Sequence, residues 1–183
     1  PGSNISEEFY KAIDSLMNYY KVEGLIFDNR FCFGSGQFDT EDKGFSLLFN
    51  SYIETIAFDE RSNNNDHFQM RAHPSWNAAK LAIPGNPDTF FDKPLAVLTG
   101  PGAVSQGDII ALKFTFHSKA RLFGKSTSGA FSGVEQLHHP GTGWDMFNAD
   151  ANAFLVSNPG IYLSRTESHV DEDIWLTPED VAK

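Results

Sequence analysis

The sequence is poor in cysteine and in positive charge. Cys32 is its one cysteine, so no internal disulfide can form and a disulfide-stabilised secreted scaffold is excluded. Lysine and arginine total 14 against 24 aspartates and glutamates, which gives a net charge of −10. Because no basic stripe is present, we expect neither a nucleic acid nor an anionic membrane surface as partner. No apolar run reaches membrane-spanning length, so no membrane insertion is expected.

Apolar residues for a core are plentiful. The chain has 183 residues, of which 40% are hydrophobic, and its 17 phenylalanines predict a core rich in aromatic rings. This length suits one compact domain rather than two. Pro1, Gly2 and Ser3 are typical of an expression-vector remnant, which fold reasoning leaves out. We therefore take residues 4–183 as one domain, a fragment of a longer protein.

Hydrophobic patterning predicts a mixture of helices and strands. A helix over residues 4–20, with Ser6 as its N-cap, precedes a short buried strand, Leu25–Phe27. Residues 52–73 have the pattern of a β-hairpin, and residues 83–94 hold the prolines and glycine of a loop. The later elements are a buried strand at 95–98, a helix at 105–116 and strand segments at 122–123, 153–156 and 161–163. This order predicts a layered α/β domain.

The most informative segment is the predicted strand–turn–helix at residues 95–116. Gly100-Pro101-Gly102 forces a sharp turn, and Ser105 stands at the start of the helix, beyond the carboxyl end of the strand. The N–H groups of a helix start can stabilise an oxyanion beside such a serine. This is the logic of a nucleophile elbow, although the motif is not Gly-x-Ser-x-Gly. The alternative is structural, because Ser105-x-x-Asp108 is also a capping box that needs no catalytic partner.

Motifs in the order of a known peptidase family run along nearly the whole chain. Residues 24–30 read GLIFDNR, residues 34–36 read GSG, and KPL at 93–95 leads into the turn before Ser105. The segments that follow are ARLFGKSTSG at 120–129, HVDED at 169–173 and TPED at 177–180. This ordered set resembles the tail-specific (C-terminal-processing) serine peptidases and their tricorn-type relatives, and it resembles the tricorn-type branch more than the Ser–Lys branch.

The resemblance implies a ClpP/crotonase-like α/β fold with a hairpin insert, and it implies a nucleophile with an oxyanion hole. Ser105 matches the nucleophile, and the backbone N–H of Gln106 matches one oxyanion donor. Gly34 or Gly36 would supply the other donor. The resemblance implies no metal and no cofactor, and its expected partner is a peptide or protein substrate.

The same resemblance assigns supporting residues and a possible acid partner. Asp28 and Arg30 match positions that hold the oxyanion loop in place. The tail-specific branch uses a lysine base at the position of Ala130, so a Ser–Lys dyad is not expected here, and nearby Lys125 is expected to be solvated. The tricorn-type branch uses an upstream histidine and a glutamate near the C-terminal motif. Glu167 is the candidate for that glutamate, with an exposed strand-edge residue as the alternative.

The general base is expected to be a histidine from an upstream segment that this fragment lacks, together with any PDZ-like domain. The chain itself has six histidines, and none has metal-ligand spacing such as His-x-x-x-His on a helix. We interpret each of them as structural, although a local histidine base for Ser105 could be formed in three dimensions. Cys32 is expected to be a small packed residue.

Three functions are compatible with these features. The first is hydrolysis of peptide bonds through a Ser105 acyl-enzyme, with the oxyanion stabilised by backbone N–H groups. The second is a catalytically inactive ligand- or peptide-binding module on the same fold, which the aromatic richness and the missing lysine favour. The third, a crotonase-like acyl transferase or lyase, ranks last because no feature indicates coenzyme A. The family resemblance implies a bacterial periplasmic or cell-surface location.

Overall fold

The computed structural model describes residues 5–34, 42–62, 68–79, 81–166, 168–177 and 179. The chain divides into two compact units, with residues 1–52, 83–129 and 167–183 in the first and residues 53–82 and 130–166 in the second. The helices are α1 (Ile5–Asp14, continued by a π-helical turn at Ser15–Tyr19), α2 (Asp42–Phe45) and α3 (Gln106–Phe114). The strands are β1 (Leu25–Asp28), β2 (Ile56–Arg61), β3 (Met70–Ala72), β4 (Leu95–Thr99), β5 (Ala120–Gly124), β6 (Ser132–His139), β7 (Trp144–Leu155) and β8 (Glu172–Asp173).

A parallel sheet in the order β1-β4-β5-β8 forms the centre of the first unit. The strand register places Phe27, Val97 and Leu122 side by side, and Val97 and Leu122 are buried. Helices cover this face, since the Phe27 ring contacts Phe9 of α1 and Phe114 of α3. The expected aromatic-rich core is therefore present, and the predicted α/β fold class is confirmed.

Two local expectations for the N-terminal region were wrong. Ser6 is not the N-cap of the first helix, because α1 already begins at Ile5 and Ser6 lies in its first turn. The strand β1 was expected to be buried, but its side chain Ile26 is 75% exposed. The reason is that β1 is an edge strand, and the described helices cover only the face that carries Phe27.

The second unit is built on an antiparallel sheet in the order β3-β2-β7-β6. The predicted hairpin at 52–73 is confirmed by the pairing of β2 with β3. The predicted strand at 153–156 is the end of the longer β7, and Tyr162 forms an isolated bridge with Phe154. Residues 140–143 form the turn that joins β6 to β7. None of the described helices has the length and hydrophobicity that crossing a bilayer requires.

A half-buried histidine makes the stability of the first unit depend on pH. His117 Nε2 lies 2.9 Å from the Leu48 carbonyl, and its Nδ1 accepts the N–H of Lys119 at 3.1 Å. One neutral tautomer satisfies both bonds, whereas protonation at Nδ1 breaks the second. Burial is the main cause that lowers the pKa of His117.

Lowering the pH from 7.5 to 5.5 should therefore destabilise the first unit. The pKa of His117 is lower in the folded state than its unfolded value of about 6.5, so the unfolded chain binds more protons as the pH falls through 6.5. The contribution of His117 to stability is therefore complete above the unfolded pKa and declines below it. The measurement is the urea midpoint at both pH values for the wild type and His117→Gln, whose amide can still donate to Leu48. We expect a smaller decline in the variant; equal declines would contradict the prediction.

Candidate active site

The turn between β4 and α3 brings backbone segments unusually close together. A Cβ on Gly102 would lie 2.7 Å from the carbonyl oxygen of Arg30, and a Cβ on Gly100 would lie 2.7 Å from the ring of Trp175. Neither contact leaves room for a side chain. The predicted strand–turn–helix is therefore present, and its glycines allow this close approach.

Ser105, the residue before α3, has a strained backbone. Its φ is 57° and its ψ is −104°, and only Lys21 and Arg165 share a positive φ among the described non-glycine residues. An ordinary N-cap serine has a β-region conformation with negative φ. A nucleophile elbow instead holds its serine in a strained strand-to-helix turn that exposes Oγ. The conformation of Ser105 therefore departs from that of a simple helix cap.

A buried carboxylate holds this turn. Asp108 is fully buried, and its Oδ2 accepts the Ser105 N–H at 2.6 Å. The same oxygen accepts the hydroxyl of Ser128 at 2.9 Å, and Oδ1 accepts the N–H of Gly129 at 2.8 Å. The other half of the capping box is present as well, because the Ser105 side chain faces the backbone N–H of Asp108. The Ser-x-x-Asp spacing predicted the bond between the Ser105 N–H and Asp108. No local signal in the sequence pointed to the contacts of Asp108 with residues 128 and 129.

The segment after β1 is attached to the start of α3. Val104 donates its N–H to the carbonyl of Cys32 at 3.0 Å, and the buried Asn29 side chain donates to the carbonyl of Gly107 at 2.8 Å. These bonds run between residues more than 70 positions apart, and they bring the segment alongside Ser105.

Gly34 reaches the site at the end of this segment. A Cβ on Gly34 would lie 2.4 Å from Ser105 Cβ, 2.6 Å from Ser105 Oγ and 3.2 Å from the backbone nitrogen of Gln106. The space beside the hydroxyl and the Gln106 amide is therefore open only because residue 34 has no side chain. The structure brings Ser105, Gln106 and Gly34 together, whereas Gly36 lies outside the described residues.

Asp28 and Arg30 form an ion pair at the beginning of the same segment. Arg30 donates Nε to Asp28 Oδ1 at 2.9 Å and Nη2 to Oδ2 at 2.7 Å, and its backbone N–H bonds Oδ1 at 3.1 Å. The side-chain hydrogen bond from Arg30 is the main cause that lowers the pKa of Asp28, and Asp28 raises the pKa of Arg30. This bidentate arrangement fixes the direction in which the chain leaves β1.

The described part of the chain shows no base in contact with Ser105. Residue 130 is alanine and cannot accept a proton. Lys125 is not simply solvated as expected, because its Nζ pairs with Asp173 at 2.5 Å on the surface. Glu167 lies outside the described residues, as does His67. The other histidines have partners elsewhere, namely Leu48 O for His117, Glu60 and Trp76 for His73, Asp145 for His138, Thr142 for His139 and Asp171 for His169.

An apolar groove lies on the face of the parallel sheet that the helices leave open. Its volume is about 660 Å³. Its lining consists of Arg30, Phe31, Ala96, Leu98, Phe123, Gly124, Ile174, Trp175 and Leu176. Trp175 also contacts Gly100, so the groove adjoins the turn before Ser105. Sequence patterning missed it, because its walls come from four separate stretches of the chain.

Comparison with known families identifies the chain. The sequence model of peptidase family S41 matches residues 2–146. The chain belongs to peptidase family S41. This agrees with the resemblance drawn from the motifs, although it does not distinguish the branches within the family.

Solved structures similar to this S41 chain have the same fold at low identity. Mature CPAF, solved with lactacystin, is 15% identical over 92% of this chain and 42% of its own, with a TM-score of 0.71. A putative peptidase from Parabacteroides merdae is 18% identical over 95% of this chain and 52% of its own, with a TM-score of 0.70. The photosystem II D1 C-terminal processing protease is 16% identical over 97% of this chain and 40% of its own, with a TM-score of 0.61.

The S41 chain thus spans about half of these structures or less. A search of curated proteins finds no match.

Proposed function

We propose that this S41 chain is the nucleophile-bearing core of a serine peptidase and that Ser105 is its nucleophile. The observation that carries the proposal is the strained conformation of Ser105, with φ 57° and ψ −104°, at the turn from β4 into α3. Backbone strain of this kind costs about 1–3 kcal/mol and persists where the surrounding structure enforces it, most often at functional sites.

In the proposed reaction, Ser105 Oγ attacks the carbonyl carbon of a peptide bond while its proton passes to a general base. The oxyanion lies in the space beside Gly34, where the N–H of Gln106 and a glycine N–H of the 34–36 loop stabilise it. The C–N bond then breaks, the amine leaves with the proton from the base, and water hydrolyses the Ser105 ester. We assign the base to a histidine outside residues 1–183, because residue 130 is alanine and the described histidines have partners other than Ser105.

Labelling with a fluorophosphonate tests the nucleophile directly. The full-length protein should be labelled, and Ser105→Ala should abolish labelling, because the probe bonds only to an activated serine oxygen. Ser118→Ala, which changes an exposed serine in the turn after α3, is the matched control and should be labelled like the wild type. Absence of labelling in the folded full-length wild type would refute the proposal.

The second candidate function, a binding module without catalysis, is favoured by the apolar groove of about 660 Å³. Clefts of this size and lining are typical of sites for small apolar ligands. A change in tryptophan emission that is lost in Trp175→Phe reports occupancy, because Trp175 lines the groove. An apolar probe that shifts this emission in a protein without fluorophosphonate labelling would support binding over hydrolysis.

A further inference from the structure

Asp108 is bonded more extensively than a capping residue needs to be. A capping-box carboxylate accepts one bond, from the N-cap N–H, and usually remains at the surface. Asp108 has 0% exposure and accepts hydrogen bonds from Ser105, Ser128 and Gly129. Burying a carboxylate is costly unless several donors compensate for the lost water. The two additional donors supply that compensation.

These donors lie in a loop that follows a neighbouring strand. Ser105 follows β4, whereas Ser128 and Gly129 follow β5, so one carboxylate joins the ends of two adjacent parallel strands. The loop is also held independently of Asp108, because Ser128 donates its N–H to the Ala103 carbonyl at 3.0 Å. The loop therefore gives Asp108 a fixed position from which it can act on Ser105.

We propose that Asp108 is a positioning residue that maintains Ser105 in its strained, reactive conformation, an inference that rests on the proposed nucleophilic role of Ser105. With its N–H held by a fixed carboxylate, Ser105 keeps φ at 57°, and its Oγ stays beside Gly34 and the Gln106 amide. Without that bond, Ser105 can relax to the negative φ of an ordinary N-cap, and its hydroxyl then leaves the space beside Gly34.

The test is Asp108→Asn in the full-length protein. Asparagine has the same size, but its amide nitrogen cannot accept a hydrogen bond. The single oxygen of asparagine therefore cannot replace both carboxylate oxygens that accept bonds from Ser105, Ser128 and Gly129. The rate of fluorophosphonate inactivation at saturation, kinact, should fall by about 100-fold, because a misplacement of about 1 Å can have an effect of this size. The probe concentration that gives half of this rate, KI, should stay the same. Ser128→Ala, which removes one of these donors, should give a smaller loss.

Loss of stability alone is separated from loss of positioning by a matched control. Val97→Ala opens a cavity in the same unit, under the buried face of β4, and should lower the melting temperature without lowering kinact at a temperature where all variants are folded. If Val97→Ala lowered kinact as much as Asp108→Asn does, the positioning role would be wrong.

A structural readout distinguishes this inference from the proposed function. Crystal structures of wild type and Asp108→Asn report the φ of Ser105 whether or not the protein is labelled. A shift to negative φ in the variant supports positioning even if the wild type proves unreactive, in which case only the proposed function fails. A φ that stays near 57° in the variant overturns the inference.

Discussion

Gly34→Ala should reduce fluorophosphonate labelling of the full-length protein by about 100-fold or more, with little change in its melting temperature. The added Cβ would lie 2.4 Å from Ser105 Cβ and 2.6 Å from Ser105 Oγ, distances that real contacts do not allow. Ser105 cannot move away freely, because its N–H is bonded to the buried Asp108. The methyl group would therefore displace the hydroxyl or fill the space above the Gln106 amide.

A glycine in open space provides the control for that substitution. Gly143 lies in the turn between β6 and β7 with φ +68°, and nothing lies within 4 Å of a Cβ placed on it. Gly143→Ala thus adds backbone strain without a clash, and we expect labelling at the wild-type rate. If Gly34→Ala were labelled at the wild-type rate, neither the probe nor the oxyanion would use the space beside Ser105.

The elements that the sequence could predict are those with strong local signals. The apolar run at 95–98, the glycines that follow it and the periodic Ile109 and Leu112 predicted β4, the turn and α3 to within a few residues. The pairing of β2 with β3 followed from the alternation of Ile53, Thr55 and Ala57 and from the polar turn sequence at 62–66. Each of these signals depends on side chains that lie within about ten residues of one another.

The contacts that define the candidate site could not be predicted from local pattern. Asp108 meets Ser128 and Gly129 about 20 positions away, and Gly34 meets Ser105 about 70 positions away. Only the order of strands in the sheet brings these residues together, and spacing in the sequence carries no information about that order. The motif resemblance named Gly34 or Gly36 as the second oxyanion donor. The steric reason that residue 34 has no side chain appears only in three dimensions.

Exposed strands were the other failure of patterning. The hairpin of β6 and β7 carries exposed residues from Val134 to Ala149 on both faces, so no alternation of polar and apolar positions marks it. Conversely, the apolar run at 25–27 was read as buried, although Ile26 lies on an open sheet face. Patterning detects burial, and it is unreliable where a strand is exposed on one or both faces.

Phe114→Ala should destabilise the first unit by about 3–5 kcal/mol, a large share of the stability of a typical domain. Phe114 is fully buried, and its ring centroid lies 5.0 Å from that of Phe27, 5.3 Å from Phe45 and 6.4 Å from Phe49. These residues come from four elements or loops, so the surroundings cannot collapse into the cavity without moving several backbone segments. Alanine is also a better helix former than phenylalanine, which offsets only a few tenths of a kcal/mol.

Urea unfolding followed by circular dichroism gives the free energy, with Phe33→Ala as the control because that ring belongs to the same unit and is 73% exposed. The control removes the same atoms from solvent rather than from a core, so its effect should stay below about 1 kcal/mol. A similar loss in the two variants would mean that the ring cluster is not the core of this unit.

Phe114 lies at the far end of α3 from Ser105. Phe114→Ala should therefore still be labelled by fluorophosphonate at temperatures where it remains folded. That result would separate the stability of the unit from the reactivity of Ser105.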